Sequence, residues 1–186
     1  MKTISIIIPA YNEEESLPYV MERLTKVSDE IKNDEFEILF VNDGSKDKTT
    51  DLIKEYREKD NRVSYVDFAR NFGKELAMIA GLDYAKGDAV IFMDADLQDP
   101  PELIPVMIKY WEEGYDDLYA QRRSRKGETW LKKFTSKMYY RVLQSLTKVE
   151  IQKDTGDFRL LDRRCVNALK QMRETGRNSK SMFSWI

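Results

Sequence analysis

The chain has 186 residues, with 31 lysines and arginines against 33 aspartates and glutamates, one cysteine and no histidine. That length supports one domain with a proper core; the lone cysteine excludes an internal disulfide, and the lack of histidine removes zinc, haem and Ser-His-Asp chemistry together. A net charge of -2 averages over an acidic stretch near Asp94 and a basic one from Arg122 to Arg141, while no run approaches the roughly 18 apolar residues of a membrane span and a secretory signal ahead of Pro9 is not expected.

Ile4 to Ile8 is a β-branched apolar run closed by Pro9, which reads as a first buried strand. Ala10-Tyr11-Asn12-Glu13-Glu14-Glu15-Ser16 follows as a polar turn at its carboxyl end. Ser16 is placed as the N-cap of a helix from Leu17, with Pro18 in the permitted first turn and Val20, Leu24 and Val27 as its inner stripe. Phe36 to Val41 is a second strand; it stops at Asn42-Asp43-Gly44-Ser45, before a helix with Leu52, Ile53 and Tyr56 inward. Val63 to Phe68 is a third. After Ala69-Arg70-Asn71-Phe72-Gly73 comes a helix carrying Leu76, Ile79, Ala80 and Tyr84.

The fourth unit carries the chemistry. Ala89 to Met93 are consecutive apolar residues suited to a strand buried on both faces, and Pro100-Pro101 forbid its continuing. Asp94 and Asp96 therefore stand where that strand ends. On an extended segment two acids with one residue between them point to the same side, which is unfavourable at neutral pH unless a cation joins them. Mg2+ or Mn2+ is the simplest candidate, because both prefer carboxylate oxygens and complete their shells with phosphate and water. A lone D-x-D would more often be a pair of solvated acids or caps. The helix after it starts at Pro101, with Leu103, Ile104, Met107, Ile108 and Trp111 on one face and Pro105 complicating its first turns.

Strands alternating with helices indicate an α/β domain with a mostly parallel sheet, which binds ligands at the carboxyl ends of its strands. Asn12-Glu13, Asp43 and Asp94/Asp96 all fall at that edge. No G-x-G-x-x-G follows the first strand and no G-x-x-x-x-G-K-[ST] occurs, so the edge would meet phosphate through metal and cations instead.

Asp117 to Gln121 is a fifth strand. Arg122, Arg123, Arg125 and Lys126 then sit in a run without apolar spacing, the composition of a loop that closes over an anionic ligand or of a solvated charge run. From Thr129 to Thr147, Trp130, Phe134, Met138, Tyr139, Val142, Leu143 and Leu146 recur at helical spacing opposite a lysine-rich side. Such a helix packs on the domain or lies on an anionic membrane surface. In Asp154-Thr155-Gly156-Asp157-Phe158-Arg159-Leu160-Leu161, Gly156 is expected to free the backbone beside Asp157, an acid presented to a ligand. Asp162 caps a last helix bearing Val166, Leu169 and Met172, with Cys165 as a small core residue.

Taken together, Ile6-Ile-Ile-Pro-Ala-Tyr-Asn-Glu-Glu14, Val41-Asn-Asp-Gly-Ser-Lys-Asp-Lys-Thr49, Asp94-Ala-Asp-Leu-Gln-Asp-Pro-Pro-Glu102 and Thr155-Gly-Asp-Phe-Arg-Leu160 resemble the family 2 glycosyltransferases, most of all the polyprenyl-phosphate hexosyltransferases. The resemblance implies a single GT-A, Rossmann-like catalytic domain over residues 1–186, a mostly parallel sheet flanked by helices, a nucleotide-sugar donor, Mg2+ or Mn2+, and inversion at the anomeric carbon. By motif, Pro9, Tyr11, Glu13 and Asp43 would hold the base and ribose with help from Asp94, and Asp96 would ligate the metal with Gln98 completing its shell. The Gln-x-x-Arg-Trp element of processive synthases is missing, so transfer of one sugar is expected. The chain is expected to stop short of C-terminal membrane helices. The implied acceptor is a polyprenyl phosphate at the cytoplasmic membrane face, with UDP-glucose as the donor; no nucleic-acid partner is expected, and a homo-oligomer is left open.

In that scheme Asp157 is the candidate base. Arg122, with Arg123, Arg125 and Lys126, would stabilise the leaving diphosphate, and Arg159 could bind the acceptor phosphate. A saccharide or protein acceptor is the first alternative. A D-x-D phosphatase is disfavoured by Gln98, where Thr or Val is expected, and a nucleotidyltransferase by the lack of a Gly-rich first loop; a silent nucleotide-sugar-binding module is the remaining rival.

Overall fold

The computed structural model describes residues 1–96, 98–121, 155–172 and 183. The basic run with Arg122, Arg123, Arg125 and Lys126, and the amphipathic segment from Thr129 to Thr147, lie outside the described residues. Strands β1 (Lys2–Ala10), β2 (Asp34–Asn42), β3 (Val63–Asp67), β4 (Ala89–Phe92), β5 (Asp117–Gln121) and β6 (Thr155–Asp162) form one sheet in the order β3-β2-β1-β4-β6-β5. The first four pair in parallel, and β6 runs antiparallel between β4 and β5. Helices α1 (Leu17–Glu30), α2 (Thr49–Lys59), α3 (Lys74–Tyr84), α4 (Ile104–Glu112) and α5 (Arg163–Gln171) follow β1, β2, β3, β4 and β6. This is the α/β domain with a mostly parallel sheet that the alternating pattern predicts.

Both faces of the sheet are covered, which is why its central strands read as unbroken apolar runs. Successive side chains alternate between two cores. Ile4, Ile6 and Ile8 of β1 and Ala89 and Ile91 of β4 join Leu17, Leu24, Ile53, Ile104 and Trp111 from α1, α2 and α4 on one face. Ile7, Val90 and Phe92 join Ala77, Met78, Leu82, Val166 and Leu169 from α3 and α5 on the other.

Several local expectations change in three dimensions. β1 runs through Pro9 to Ala10. Proline is tolerated there because β4 ends at Phe92, paired with Ile7, so the position facing that side two residues later has no ladder bond to make. Ser16 stands at the N-cap of α1, yet its hydroxyl donates to Glu13 Oε2 (2.5 Å) and does not cap the helix. The buried face of α3 is Ala77, Met78, Gly81 and Leu82, whereas Leu76 and Tyr84 are 48% and 62% exposed. Small residues win that face because α3 lies close on β1: a Cβ on Gly81 would sit 2.3 Å from Ile7 Cγ2. Pro105 falls within the first two positions of α4, after a 3-10 turn over Pro101–Leu103, so its missing N–H costs no helical bond.

The segment after Asp154 is strand and not turn. Thr155–Asp162 is β6, and Gly156 is not among the glycines with positive φ. Asp162 does cap the following helix, accepting from Arg164 N (2.9 Å), and also accepts from Trp111 Nε1 (2.8 Å). Cys165 is half-buried against the second core.

Burial works to raise the Asp162 pKa, but bonds from Trp111 and Arg164 outweigh it and hold the carboxyl below the usual aspartate range. A depressed folded-state pKa contributes stability above the unfolded value and loses it as pH falls through the folded one. Asp162→Ala should therefore cost about 1–3 kcal/mol at pH 7. Urea unfolding at pH 7 and near pH 3 should show the deficit shrinking with acid.

Candidate functional site

Parallel strands present their carboxyl ends at one edge, and the turns that leave them are tied to one another there. Asn12, at φ 56, presents its N–H to Ser45 Oγ (2.9 Å) and accepts from Lys46 N (2.8 Å). Glu13 N donates to Thr49 Oγ1 (2.8 Å), and Glu14 N to Asp47 Oδ2 (3.1 Å). The turn after β1 is thus stitched to the turn after β2. Buried Asn42 extends the mesh: its amide donates to Asp67 Oδ1 at the end of β3 (2.7 Å) and to Thr50 Oγ1 (2.8 Å), while Ser45 Oγ donates to its carbonyl (2.6 Å).

Asp43 is 3% exposed, and its two oxygens accept the N–H groups of Phe72 (2.7 Å) and Gly73 (2.9 Å). A buried carboxylate satisfied by backbone donors fixes the turn after β3. The next residue, Lys74, opens α3 and is delivered to the middle of the edge. Its ammonium lies 2.6 and 2.7 Å from the two oxygens of Asp94 and 2.6 Å from Asp157 Oδ2. Burial alone would push this lysine's pKa down; the charges and hydrogen bonds of Asp94 and Asp157 outweigh it and hold the pKa above the ordinary lysine value.

The D-x-D acids lie in a turn past the end of β4, with Ala95 buried between them. They are not equivalent. Asp94 is half-buried and paired with Lys74, whereas Asp96 is exposed and its Oδ1 accepts from Gln98 N (3.0 Å). Behind them Asp99 is buried and accepts from Asp94 N (3.0 Å). Burial pushes the Asp99 carboxyl above the usual range; the Asp94 N–H offsets part of this, and the charges of Asp94 and Asp96 add to it.

Asp157 reaches the same place because β6 is antiparallel. β6 pairs with β4 through Phe92↔Arg159, so two residues further along Asp157 stands across from Asp94. Pro9, Ala10, Tyr11, Glu13, Asp43, Asn71, Gly73, Lys74, Asp94, Ala95 and Asp96 line a cleft of about 300 Å³. The predicted residues Pro9, Tyr11, Glu13, Asp43, Asp94 and Asp96 are therefore brought together, and Lys74 links Asp157 to them. Arg159 is placed differently. It is 1% exposed, pairs with Asp117 Oδ2 (3.1 Å) and stacks over Phe183 (3.9 Å to the ring centroid), so its guanidinium lies within the protein.

The residue that sequence reasoning missed is Lys74. It follows the third strand end, a position on the same edge as the acids, but a cation there carries none of the carboxylate signal that marks the other strand ends. For a divalent ion the donors are hard oxygens: exposed Asp96 with Gln98 beside it, and Asp94 once its charge is shared. Among the described residues no group of three His, Cys, Asp or Glu side chains is arranged to hold an ion unaided. This edge fits Mg2+ or Mn2+ held with phosphate oxygens and water, to which the protein supplies one or two ligands.

The family model for "Glycosyl transferase family 2" matches residues 5–169. An uncharacterized glycosyltransferase of Synechocystis sp. is 51% identical over 98% of this chain and 57% of its own length. The bactoprenol glucosyl transferase of Shigella phage SfV is 42% identical over 98% and 59%. Staphylococcus aureus TarS 1-349 in complex with UDP-GlcNAc superposes with a TM-score of 0.55 at 28% identity, over 69% of this chain and 36% of its own. The chain thus spans a little over half the length of these two curated relatives.

Gly44, at φ 68, is where the turns after β2 and β3 touch: a Cβ there would lie 2.4 Å from the Arg70 carbonyl carbon and 2.7 Å from Asn71 N. Gly114, at φ 104, has nothing within 4 Å of that position. Gly114→Ala should cost about 1–2 kcal/mol for the left-handed backbone alone. Gly44→Ala should cost clearly more in the same urea titration, because backbone atoms must also move.

Proposed function

The chain belongs to glycosyl transferase family 2, and from that premise we propose that it transfers one glucose from UDP-glucose to a polyprenyl phosphate at the cytoplasmic face of the membrane, with inversion at the anomeric carbon. The observation that carries this reading is the meeting of Asp157 with the D-x-D turn: a Lys74 ammonium 2.6 Å from both Asp94 and Asp157 joins the acid on β6 to the edge formed by the parallel strands. The phage relative's name supports a lipid-linked acceptor, and the TarS complex supports a uridine donor.

In this reading the base and ribose lie against Pro9, Tyr11, Glu13 and Asp43 in the cleft. Tyr11 is part-exposed and offers a ring face for stacking. Each Asp43 oxygen accepts one backbone N–H and retains capacity for a second donor, such as a nucleobase N–H. Asp96, with Gln98, would hold Mg2+ or Mn2+, which when bound neutralises charge on the diphosphate, while Asp94 would assist at the nucleotide-sugar. Arg122, Arg123, Arg125 and Lys126 would reinforce that charge balance.

The acceptor phosphate has a second pKa near 6 and is largely dianionic at neutral pH. Its oxygen attacks the anomeric carbon while the bond from that carbon to the diphosphate breaks, and the electron pair leaves with UDP. One displacement inverts the configuration. Because this nucleophile arrives deprotonated, Asp157 acts by orienting it or its counter-cation; for an alcohol acceptor the same carboxylate would take the proton. Arg159, buried against Asp117 and Phe183, supports the strand that carries Asp157 from within.

Radiolabelled transfer to detergent-solubilised polyprenyl phosphate tests the proposal, with UDP- and GDP-sugars as donors and a soluble saccharide as the competing acceptor. Labelled glucose should enter the organic phase only with Mg2+ or Mn2+; label confined to the soluble saccharide would overturn the lipid acceptor. Asp157→Asn should lower turnover about 10²-fold or more with donor affinity unchanged. Asp96→Ala should abolish the metal-dependent part of donor binding in calorimetry.

A further inference from the structure

Among the described residues, the carboxylates Asp94, Asp96 and Asp157 meet at this edge, and the Lys74 ammonium is not evenly divided among them. Lys74 takes both oxygens of Asp94 and one of Asp157. Asp96 instead accepts a backbone N–H from Gln98. We infer that Lys74 is a positioning residue that acts as a built-in counter-cation: it occupies Asp94 in the donor-free protein, leaves Asp96 as the carboxylate open to a divalent ion, and clamps Asp157 beside the donor site.

The clamp is built from the core outward. Asp43 holds Phe72 N and Gly73 N, so the backbone immediately before Lys74 is fixed by a buried carboxylate. The lysine stem leaves the first turn of α3, whose inner face packs Ala77 and Gly81 on the sheet. On the opposing side Asp94 N is held by buried Asp99, and Asp157 is set by the β4–β6 register. Three anchored elements thus converge on one cation. The ammonium side chain keeps 39% of its surface exposed, so an arriving ion or diphosphate can reach it.

A fixed cation on Asp94 has two consequences. It keeps Asp94 and Asp157 from driving each other apart, and it competes with any divalent ion for Asp94. Ion binding in the donor-free protein is therefore held weak, and becomes strong only when diphosphate oxygens add to Asp96. This inference rests on the nucleotide-sugar reading of the edge but is tested separately from it, with the metal alone.

The measurement is Mn2+ binding to the full chain without donor, followed by electron paramagnetic resonance or calorimetry. Lys74→Met should bind Mn2+ at least fivefold more tightly than the wild type, because Asp94 is released. Lys74→Arg, which keeps the charge, should stay within about twofold of wild type, and Lys74→Met with Asp94→Asn should lose the gain. Turnover of Lys74→Met should fall at least tenfold and be restored in part by Lys74→Arg. Mn2+ affinity in Lys74→Met that is equal to or weaker than wild type overturns the inference, as does a gain that survives Asp94→Asn. If Lys74→Met gives no cooperative melt, Lys74→Gln makes the same comparison with the stem largely kept. A wild type that binds no UDP-glucose in the presence of Mn2+ would count against the nucleotide-sugar reading, while the Mn2+ comparison between variants would still decide the role of Lys74.

Discussion

The ion pair that joins Lys74 to Asp94 and Asp157 is the constraint on which the rest of the edge depends. Two carboxylates this close repel one another. A single ammonium in contact with both reduces that repulsion and sets their separation in one step. The lysine remains charged because the two carboxylates outweigh its own desolvation. Removing the lysine would leave the two carboxylates facing each other without the cation that joins them.

Rigid surroundings make such a pairing useful. The turns after β1, β2 and β3 are hydrogen-bonded to one another through Asn12, Asn42, Asp43, Ser45 and Asp47, so the cleft is lined by loops with little freedom to relax. Polar groups held in place beforehand need less reorganisation when charge develops on a ligand. The apolar cores on both sheet faces provide the footing, since β1 and β2, buried along most of their length, run directly into the first two of these turns.

Arg159 shows how one motif divides its work. It stands two residues from Asp157 on the same strand, and side chains two apart share a face. Asp157 lies at the rim and Arg159 further in, where it meets Asp117, Tyr119 and Phe183. Burial lowers the arginine's pKa, and Asp117 and Asp157 oppose that shift. The two charges are therefore electrostatically linked although only the acid is at the edge.

Much of this was legible in the residues. Apolar runs of strand length, each closed by a polar turn, determine the alternation of strands and helices and hence the edge on which Tyr11, Glu13, Asp43, Asp94 and Asp96 must gather. Periodicity reports burial, and burial on two faces leaves few other arrangements. It did not report the face of α3, where Gly81 and Ala77 are buried because the backbone approaches the sheet closely, a fact about distance and not hydropathy. Nor did it reveal that Thr155–Asp162 pairs antiparallel to β4. Strand direction is decided by pairing between segments far apart in the chain. That direction alone puts Asp157 across from Asp94; a parallel β6 would have carried it away from the cleft. The role of Lys74 follows from the same kind of fact, because three residues from three separate elements become neighbours only once the sheet has formed.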